Sequence, residues 1–225
     1  MLDERLSLAA SLYTPCELGA DIGTDHALLP CHLLRGGTCR RMILADVSEK
    51  ALAHARAQVS RQHLESRARL VLADGLDALD EPCGCVSVMG MGGESIARIL
   101  ARGAHRLQGA ALVLSAHTDL PLVRNAVQDA GYHLVREEIC RAAGRYYIVW
   151  KAEPGPAAYT PQQLRLGPLM MDGAAPLLAG YLRWRCDMLE DKLRGLRAAS
   201  RQDDSALQEI SSDLAVCRRK LEALS

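Results

Sequence analysis

No stretch of about 18 consecutive apolar residues interrupts this 225-residue chain, so no transmembrane helix is expected. The N-terminus carries no basic-then-apolar signal pattern. Phenylalanine is missing altogether; with the excess of arginine over lysine this is a compositional bias from which no function follows. Net charge is missing too. Residues 1–158 hold 17 basic and 18 acidic side chains, and residues 159–225 hold 10 and 9. Neither part is basic enough to bind nucleic acid by total charge, which leaves that task to local patches. The eight cysteines include no paired CxxC units, and Cys83-Gly84-Cys85 has no second ligand pair, so no zinc site and no metal are expected. Scattered thiols of this kind fit a reducing, cytoplasmic protein. The G-x-G-x-x-G fingerprint of a dinucleotide site is also absent, which disfavours a nicotinamide dehydrogenase.

What is present is an alternation of apolar and amphipathic segments. Residues 1–14 read as an amphipathic helix, with Leu2, Leu6, Ala9 and Leu12 on one side. Strands are expected at Glu17–Ile22, Met42–Ala45, Leu70–Ala73, Val86–Met89 and Ala111–Ser115. Helices are expected over 25–35, from a Ser48 N-cap to about His63, over Glu94–Ala101 and over Leu120–Ala130. His133–Cys140 and Tyr146–Ala152 then follow one another across a short Gly144 connection, as a hairpin does. The pattern predicts an α/β fold with an open, mostly parallel sheet and one antiparallel strand. Right-handed crossovers then gather the loops after the strands at one edge.

Pro154-Gly155-Pro156 reads as a linker, dividing residues 1–155 from 156–225. Beyond it Leu182, Cys186, Leu189, Leu193 and Leu196 recur at spacings of four and three, as do Leu207, Ile210, Leu214, Cys217, Leu221 and Leu224. Two helices with coiled-coil seams are expected there, joined by a polar turn over Arg197–Ser205 into an antiparallel hairpin. Each arm is too short to stand alone.

The most informative segment is Ala20-Asp21-Ile22-Gly23-Thr24-Asp25-His26-Ala27-Leu28-Leu29-Pro30. It reads as strand, glycine turn and helix start, which is where α/β proteins hold a cofactor. Two carboxylates and an imidazole stand where a dinucleotide site has glycines. They repel pyrophosphate and suit a cationic or zwitterionic cofactor; S-adenosylmethionine has both a sulfonium and an amino group. Asp21, Asp46 and Asp74 fall at successive strand ends. They suit an ammonium, two ribose hydroxyls and an adenine amino group respectively. Gly90-Met91-Gly92-Gly93 follows the fourth strand and lets backbone approach a ligand. Met89 and Met91 offer polarisable surface.

Taken together, Ala20–Pro30, Asp74-Gly75-Leu76, Gly90–Gly93, Gly144–Glu153 and Leu166–Leu169 resemble the bacterial family of tRNA (adenine-22-N1) methyltransferases. The resemblance implies a Rossmann-like S-adenosylmethionine-dependent methyltransferase domain over 1–155 and a C-terminal helical coiled-coil domain over 156–225. It implies S-adenosylmethionine as cofactor and tRNA as partner, with no membrane. The implied cofactor pocket comprises Asp21, Gly23, Asp25, His26, Asp46, Asp74, Gly75, Met91 and Gly92. Relatives carry Gln-Pro-Asn where this chain has Ser115-Ala116-His117.

Asp25 is the candidate catalytic residue, a carboxylate beside the expected sulfonium that can stabilise charge growing on a methylated adenine. Its other reading is an N-cap for the next helix. Arg35, Arg40 and Arg41, then Arg98, Arg102 and Arg106, then Arg141 and Arg145, and finally Arg218, Arg219 and Lys220 are candidate phosphate contacts. Tyr146 and Tyr147 are candidates to stack on an extruded base. Two alternatives stay open on the residues: a methyltransferase of another RNA or a small molecule, and a non-catalytic cofactor-binding assembly module.

Overall fold

A computed structural model of the chain describes residues 2–173, 176–198 and 204–224. Two compact units meet in sequence between Tyr159 and Thr160. In the first, every apolar run expected to be a strand is one. In chain order these are β1 (Cys16–Ile22), β2 (Cys39–Asp46), β3 (Ala68–Leu72), β4 (Cys85–Met91), β5 (Ala111–Ala116), β6 (Tyr132–Ala142) and β7 (Arg145–Pro154). They form one sheet in the order β3-β2-β1-β4-β5-β7-β6. Pairing is parallel from β3 through β5, and β7 is antiparallel to both β5 and β6. Ile43, Leu44 and Ala45 on β2 and Leu112, Val113 and Leu114 on β5 are buried one after another. Such unbroken apolar runs suit strands covered on both faces.

The covering helices are α1 (Glu4–Leu12), α2 (Leu28–Arg35), α3 (Glu49–Arg61), α4 (Gly93–Gly103) and α5 (Leu120–Asp129). Ser48 caps α3, its hydroxyl accepting from the Ala51 N–H at 3.3 Å. Asp3 caps α1 in the same way, accepting from the Leu6 N–H at 2.7 Å. α2 starts at Leu28 rather than at residue 25, because Ala27 lies in the left-handed region (φ 51°) and Asp25 also has positive φ (23°). Asp25 is therefore not the helix cap that its position in the sequence allowed.

The strand order reverses between β1 and β4, so the loops after these two strands flank a crevice at the carboxyl edge of the sheet. β6 points the same way as β5, because β7 opposes both. The short β6–β7 connection, with Arg141 and Arg145 beside it, therefore lies at that same edge. Behind it, Glu137 of β6 accepts from the Arg124 Nε of α5 at 2.7 Å and from the Trp150 Nε1 of β7 at 2.8 Å. This buried group ties a helix to two strands.

The second unit contains α6 (Pro161–Leu166), α7 (Pro168–Asp172), α8 (Leu178–Ala198) and α9 (Asp204–Ala223). Thr160 and Gln163 cap α6 reciprocally. Leu182, Cys186, Leu189 and Leu193 of α8 and Leu214 and Cys217 of α9 are buried; Leu196, Leu207, Ile210, Leu221 and Leu224 are only partly so. Arg165 grips the buried Asp213 carboxylate with two nitrogens, at 2.7 and 3.1 Å. Of the turn expected over 197–205, residues 199–203 lie outside the described residues. Tyr159 still belongs to the first unit: its hydroxyl accepts from the Leu134 N–H at 2.9 Å and its N–H donates to Gln128 Oε1 at 2.7 Å.

Candidate active site

Two adjoining chambers open along the carboxyl ends of β1, β2, β3 and β4, each of about 250 Å³. Gly23 lines both and forms the neck between them. Its φ of 80° is a backbone conformation that favours glycine, and a Cβ there would also displace the flexible end of Met91, whose Cε would lie 2.6 Å away. Met91 is aimed at the neck by a bulge at Gly90, where the pairing of β4 with β5 shifts register.

The first chamber gathers charged and polar side chains beside apolar ones. Asp21, at the end of β1, lines it while remaining buried. Burial is the main cause that pushes its carboxyl pKa upward, and the nearby Asp46 adds to it. The Ser87 hydroxyl opposes that shift by donating to Asp21 Oδ1 at 2.6 Å. The Thr24 hydroxyl beside it also favours the charged form, yet Thr24 Oγ1 is buried with no partner in hydrogen-bonding geometry. Arg5 of α1 reaches the same chamber with Nη1 buried and unpartnered, its guanidinium 5.4 Å from the centre of the Tyr147 ring. An anionic group and a cationic group thus face one cavity, each short of partners. That arrangement suits a ligand carrying both an ammonium and a carboxylate.

Asp25 and His26 also line this chamber. Asp25 Oδ1 accepts from His54 Nδ1 of α3 at 3.2 Å, and Asp25 Oδ2 lies 3.3 Å from His26 Nε2. The two imidazoles stack nearly parallel, with centroids 5.2 Å apart. The loop holding Asp25 is tied down by the Gly23 and Thr24 N–H groups, which both donate to the Ala45 carbonyl, at 2.8 and 3.1 Å. His117 stands on the wall nearest β5 and meets the Tyr147 ring edge-on at 5.8 Å.

The second chamber is lined by Asp46, Val47, Asp74, Gly75, Met91 and Ile99, among others. Asp46 Oδ1 accepts from the Ser48 N–H at 2.9 Å, which holds the carboxylate in a turn and leaves Oδ2 for a ligand. Asp74, expected to face an adenine amino group, is also hydrogen-bonded by Arg102 of α4. Arg102 and Arg106 also pair with Asp77, at 3.0 and 3.2 Å. These two arginines therefore neutralise a carboxylate pair rather than standing ready for phosphate. Arg40 and Arg41 are likewise occupied, by Glu17 at 3.5 and 4.0 Å, and Arg218 by Glu190 at 2.7 Å.

Of the expected pocket residues, Asp21, Gly23, Asp25 and His26 meet at the first chamber and Asp46, Asp74, Gly75 and Met91 at the second. Gly92 lines neither; it is the N-cap of α4, with Thr118 Oγ1 3.2 Å from where its Cβ would be. The adjoining Gly93 is the tighter position, since a Cβ there would strike the Thr118 carbonyl at 2.6 Å. Arg5, Thr24, Ser87 and His54 escape a reading of the sequence. Thr24 sits in the β1 loop itself, whereas Arg5, Ser87 and His54 are ordinary helix or strand residues locally, and only the packing of α1, β4 and α3 brings them to the site.

The fold agrees with comparison to known proteins. A family model described as a methyltransferase domain matches residues 2–150. The chain is 31% identical over 173 residues to the tRNA (adenine(22)-N(1))-methyltransferase of Bacillus subtilis (strain 168), covering 75% of this chain and 73% of that protein. Among solved structures, Streptococcus pneumoniae Sp1610 in complex with S-adenosyl-L-methionine superposes with a TM-score of 0.86 at 27% identity, covering 98% of this chain and all of that one. The Bacillus subtilis m1A22 tRNA methyltransferase TrmK shares the fold, with a TM-score of 0.86 at 22% identity over 98% of this chain and 99% of that one. On the methyltransferase-domain match and the Bacillus subtilis relative together, this chain belongs to the tRNA (adenine-22-N1)-methyltransferase family.

Proposed function

We propose that this chain transfers a methyl group from S-adenosylmethionine to N1 of adenine 22 of tRNA. The observation that carries the reading is the pair of chambers joined at Gly23, in a chain whose relatives perform this reaction. The residues present fit the donor. Asp21 would hold its ammonium and the unpartnered Arg5 its carboxylate, with the orphaned Thr24 hydroxyl completing that end. Asp46 would take the ribose hydroxyls. Val47, Gly75, Met91 and Ile99 would enclose the adenine, with Asp74 at its amino edge. S-adenosylmethionine supplies a methyl group on positively charged sulfur, already electrophilic.

What remains for the chain is placement and charge. Adenine N1 would take the methyl carbon with its own lone pair as the carbon–sulfur bond breaks and sulfur becomes a neutral thioether, so the positive charge passes to the ring. The Asp25 carboxylate, on the wall of the first chamber, stabilises that charge and receives a hydrogen bond from the increasingly acidic exocyclic amine. An adenine must leave its stack before N1 is reachable. His117 and Tyr147 offer it an aromatic surface beside the chamber. Arg141 and Arg145 are exposed, and among the described residues neither is in an ion pair, which leaves both available to phosphate at this edge.

The test is incubation of the purified chain with labelled S-adenosylmethionine and unmodified total tRNA, followed by nucleoside analysis. N1-methylated adenine at position 22 is the expected product. Label on free nucleosides or metabolites with none on tRNA would replace the reading with a small-molecule methyltransferase. Tight cofactor binding with no product on either would replace it with a non-catalytic module.

A further inference from the structure

The loop after β1 and the first turns of α3 bring together three side chains that bind metals well in this combination. We infer that Asp25, His26 and His54 form a site for a divalent transition-metal ion, zinc or cobalt in class, at the rim of the first chamber. One ligand atom from each of the three lies within 4.8 Å of the others. Each imidazole already approaches the carboxylate: His54 Nδ1 is 3.2 Å from Asp25 Oδ1 and His26 Nε2 is 3.3 Å from Asp25 Oδ2, so one ion between the rings draws on a single carboxylate that both already meet. A tetrahedral ion with bonds of about 2.0–2.1 Å places its ligand atoms about 3.3 Å apart. The separation between the two ring nitrogens closes by rotation of the rings. All three side chains are exposed enough to turn, at 66% for His26, 55% for Asp25 and 45% for His54.

The donor set selects the ion. Two imidazoles and one carboxylate suit zinc, cobalt, nickel and copper. Magnesium and calcium prefer all-oxygen shells, which this site does not offer. Neutral imidazoles need no net deprotonation, since each can carry its proton on the other ring nitrogen. No Lys or Arg is ion-paired with Asp25 among the described residues, so the carboxylate is not already neutralised. The expectation of no metal came from cysteine spacing and does not bear on ligands drawn from positions 25, 26 and 54.

Occupation has a consequence that rests on the proposed role of Asp25. An ion on that carboxylate removes its charge from the reacting base and sets a second positive charge beside the sulfonium. Zinc therefore inhibits turnover.

The binding test needs no activity. The full-length chain, without a polyhistidine tag, is titrated with cobalt(II) and followed by visible absorption, with His26→Ala and His54→Ala in parallel and circular dichroism to show that both fold. One saturable equivalent is expected, displaced by zinc and indifferent to magnesium. Each variant should weaken binding by at least about tenfold, the lower end of what loss of a mere outer-shell partner costs. No saturable band overturns the site. So does a band with sulfur-to-cobalt charge transfer that persists in both variants, because the ion then sits on cysteine. The second arm compares zinc inhibition of methyl transfer in the unaltered chain and in His54→Ala, each against its own zinc-free rate. Inhibition relieved in the variant supports the consequence. Binding without inhibition keeps the site and removes Asp25 from the reacting centre.

Discussion

Two carboxylates of the first unit are equally hidden from water, Asp21 at 7% exposure and Glu137 at 6%, and differ in what faces them. Glu137 meets the guanidinium of Arg124 and the indole N–H of Trp150, with the same Arg124 stacked 5.4 Å from the Trp150 ring. Asp21 meets hydroxyls, and no cation is among the groups that shift its pKa. A buried charge without a counter-charge is costly, and the cost shows as the upward push on the Asp21 carboxyl. Evenly buried carboxylates thus do opposite things. Glu137 is electrostatically complete and joins α5 to the last two strands. Asp21 is incomplete, and the proposed function gives it the cofactor's ammonium as the missing partner. The incompleteness, more than the burial, marks the site.

The largest effect belongs to the complete group. Glu137→Ala should destabilise the fold by about 3–5 kcal/mol, because Arg124 is left buried without its partner. Urea unfolding followed by tryptophan fluorescence reads this directly, and cofactor affinity of the folded fraction should be unchanged. Asp21→Asn should behave the other way round. It should leave the cofactor-free fold as stable as before or more so, since an unfavourable buried charge is removed while the Ser87 contact can persist. It should weaken cofactor binding by about ten- to a hundredfold, the equivalent of a charge-assisted hydrogen bond of about 1.5–3 kcal/mol. If Asp21→Asn unfolds the protein and Glu137→Ala spoils the cofactor site, the division between the two carboxylates is wrong.

Legibility in the sequence follows the range of the interactions involved. The strands, the Ser48 cap and the final hairpin rest on neighbours along the chain, and all are readable there. So are Asp21, Gly23, Asp46 and Asp74 as a set, because each ends a strand and parallel strands end at one edge. What distinguishes the members of that set is not readable. Asp21 is buried by α1 and β4, Asp46 is held by its own turn, and Asp74 is neutralised by Arg102, 28 residues further on. Arg5 looks like the solvated side of an amphipathic helix until α1 packs over β6 and β7. The short helices α6 and α7 escape the sequence pattern for a different reason. The Thr160/Gln163 capping box of α6 is local and visible, but six- and five-residue helices leave too little periodicity to detect.

Acid sharpens the contrast by moving stability and affinity in opposite directions. The folded, cofactor-free Asp21 pKa is raised above its unfolded value. Its ionised form therefore costs stability, by an amount that grows from the unfolded pKa and levels off above the folded one. Lowering the pH removes that cost. The same protonation deletes the charge that an ammonium needs, so cofactor affinity should fall as pH drops through the raised pKa. Calorimetric titrations across this range should show the slope in the unaltered chain and a flat profile in Asp21→Asn. A slope that survives the substitution assigns the titration to another group.

The smallest effect is expected at Asp74, whose carboxylate is about half exposed and already paired with an arginine that is equally exposed. Asp74→Asn should raise the cofactor Kd only a few-fold and should leave unfolding nearly unchanged, as is usual for solvated ion pairs. Salt separates it from Asp21. At about 0.1 M ionic strength exposed charges are screened within about 10 Å, whereas a buried group is shielded from mobile ions. The difference in affinity between the unaltered chain and Asp74→Asn should therefore shrink as salt rises, while that for Asp21→Asn persists. Parallel decline in both would mean that the cofactor meets the two carboxylates through equally open water. Burial of Asp21 would then be a feature of the strand end and not the source of its grip.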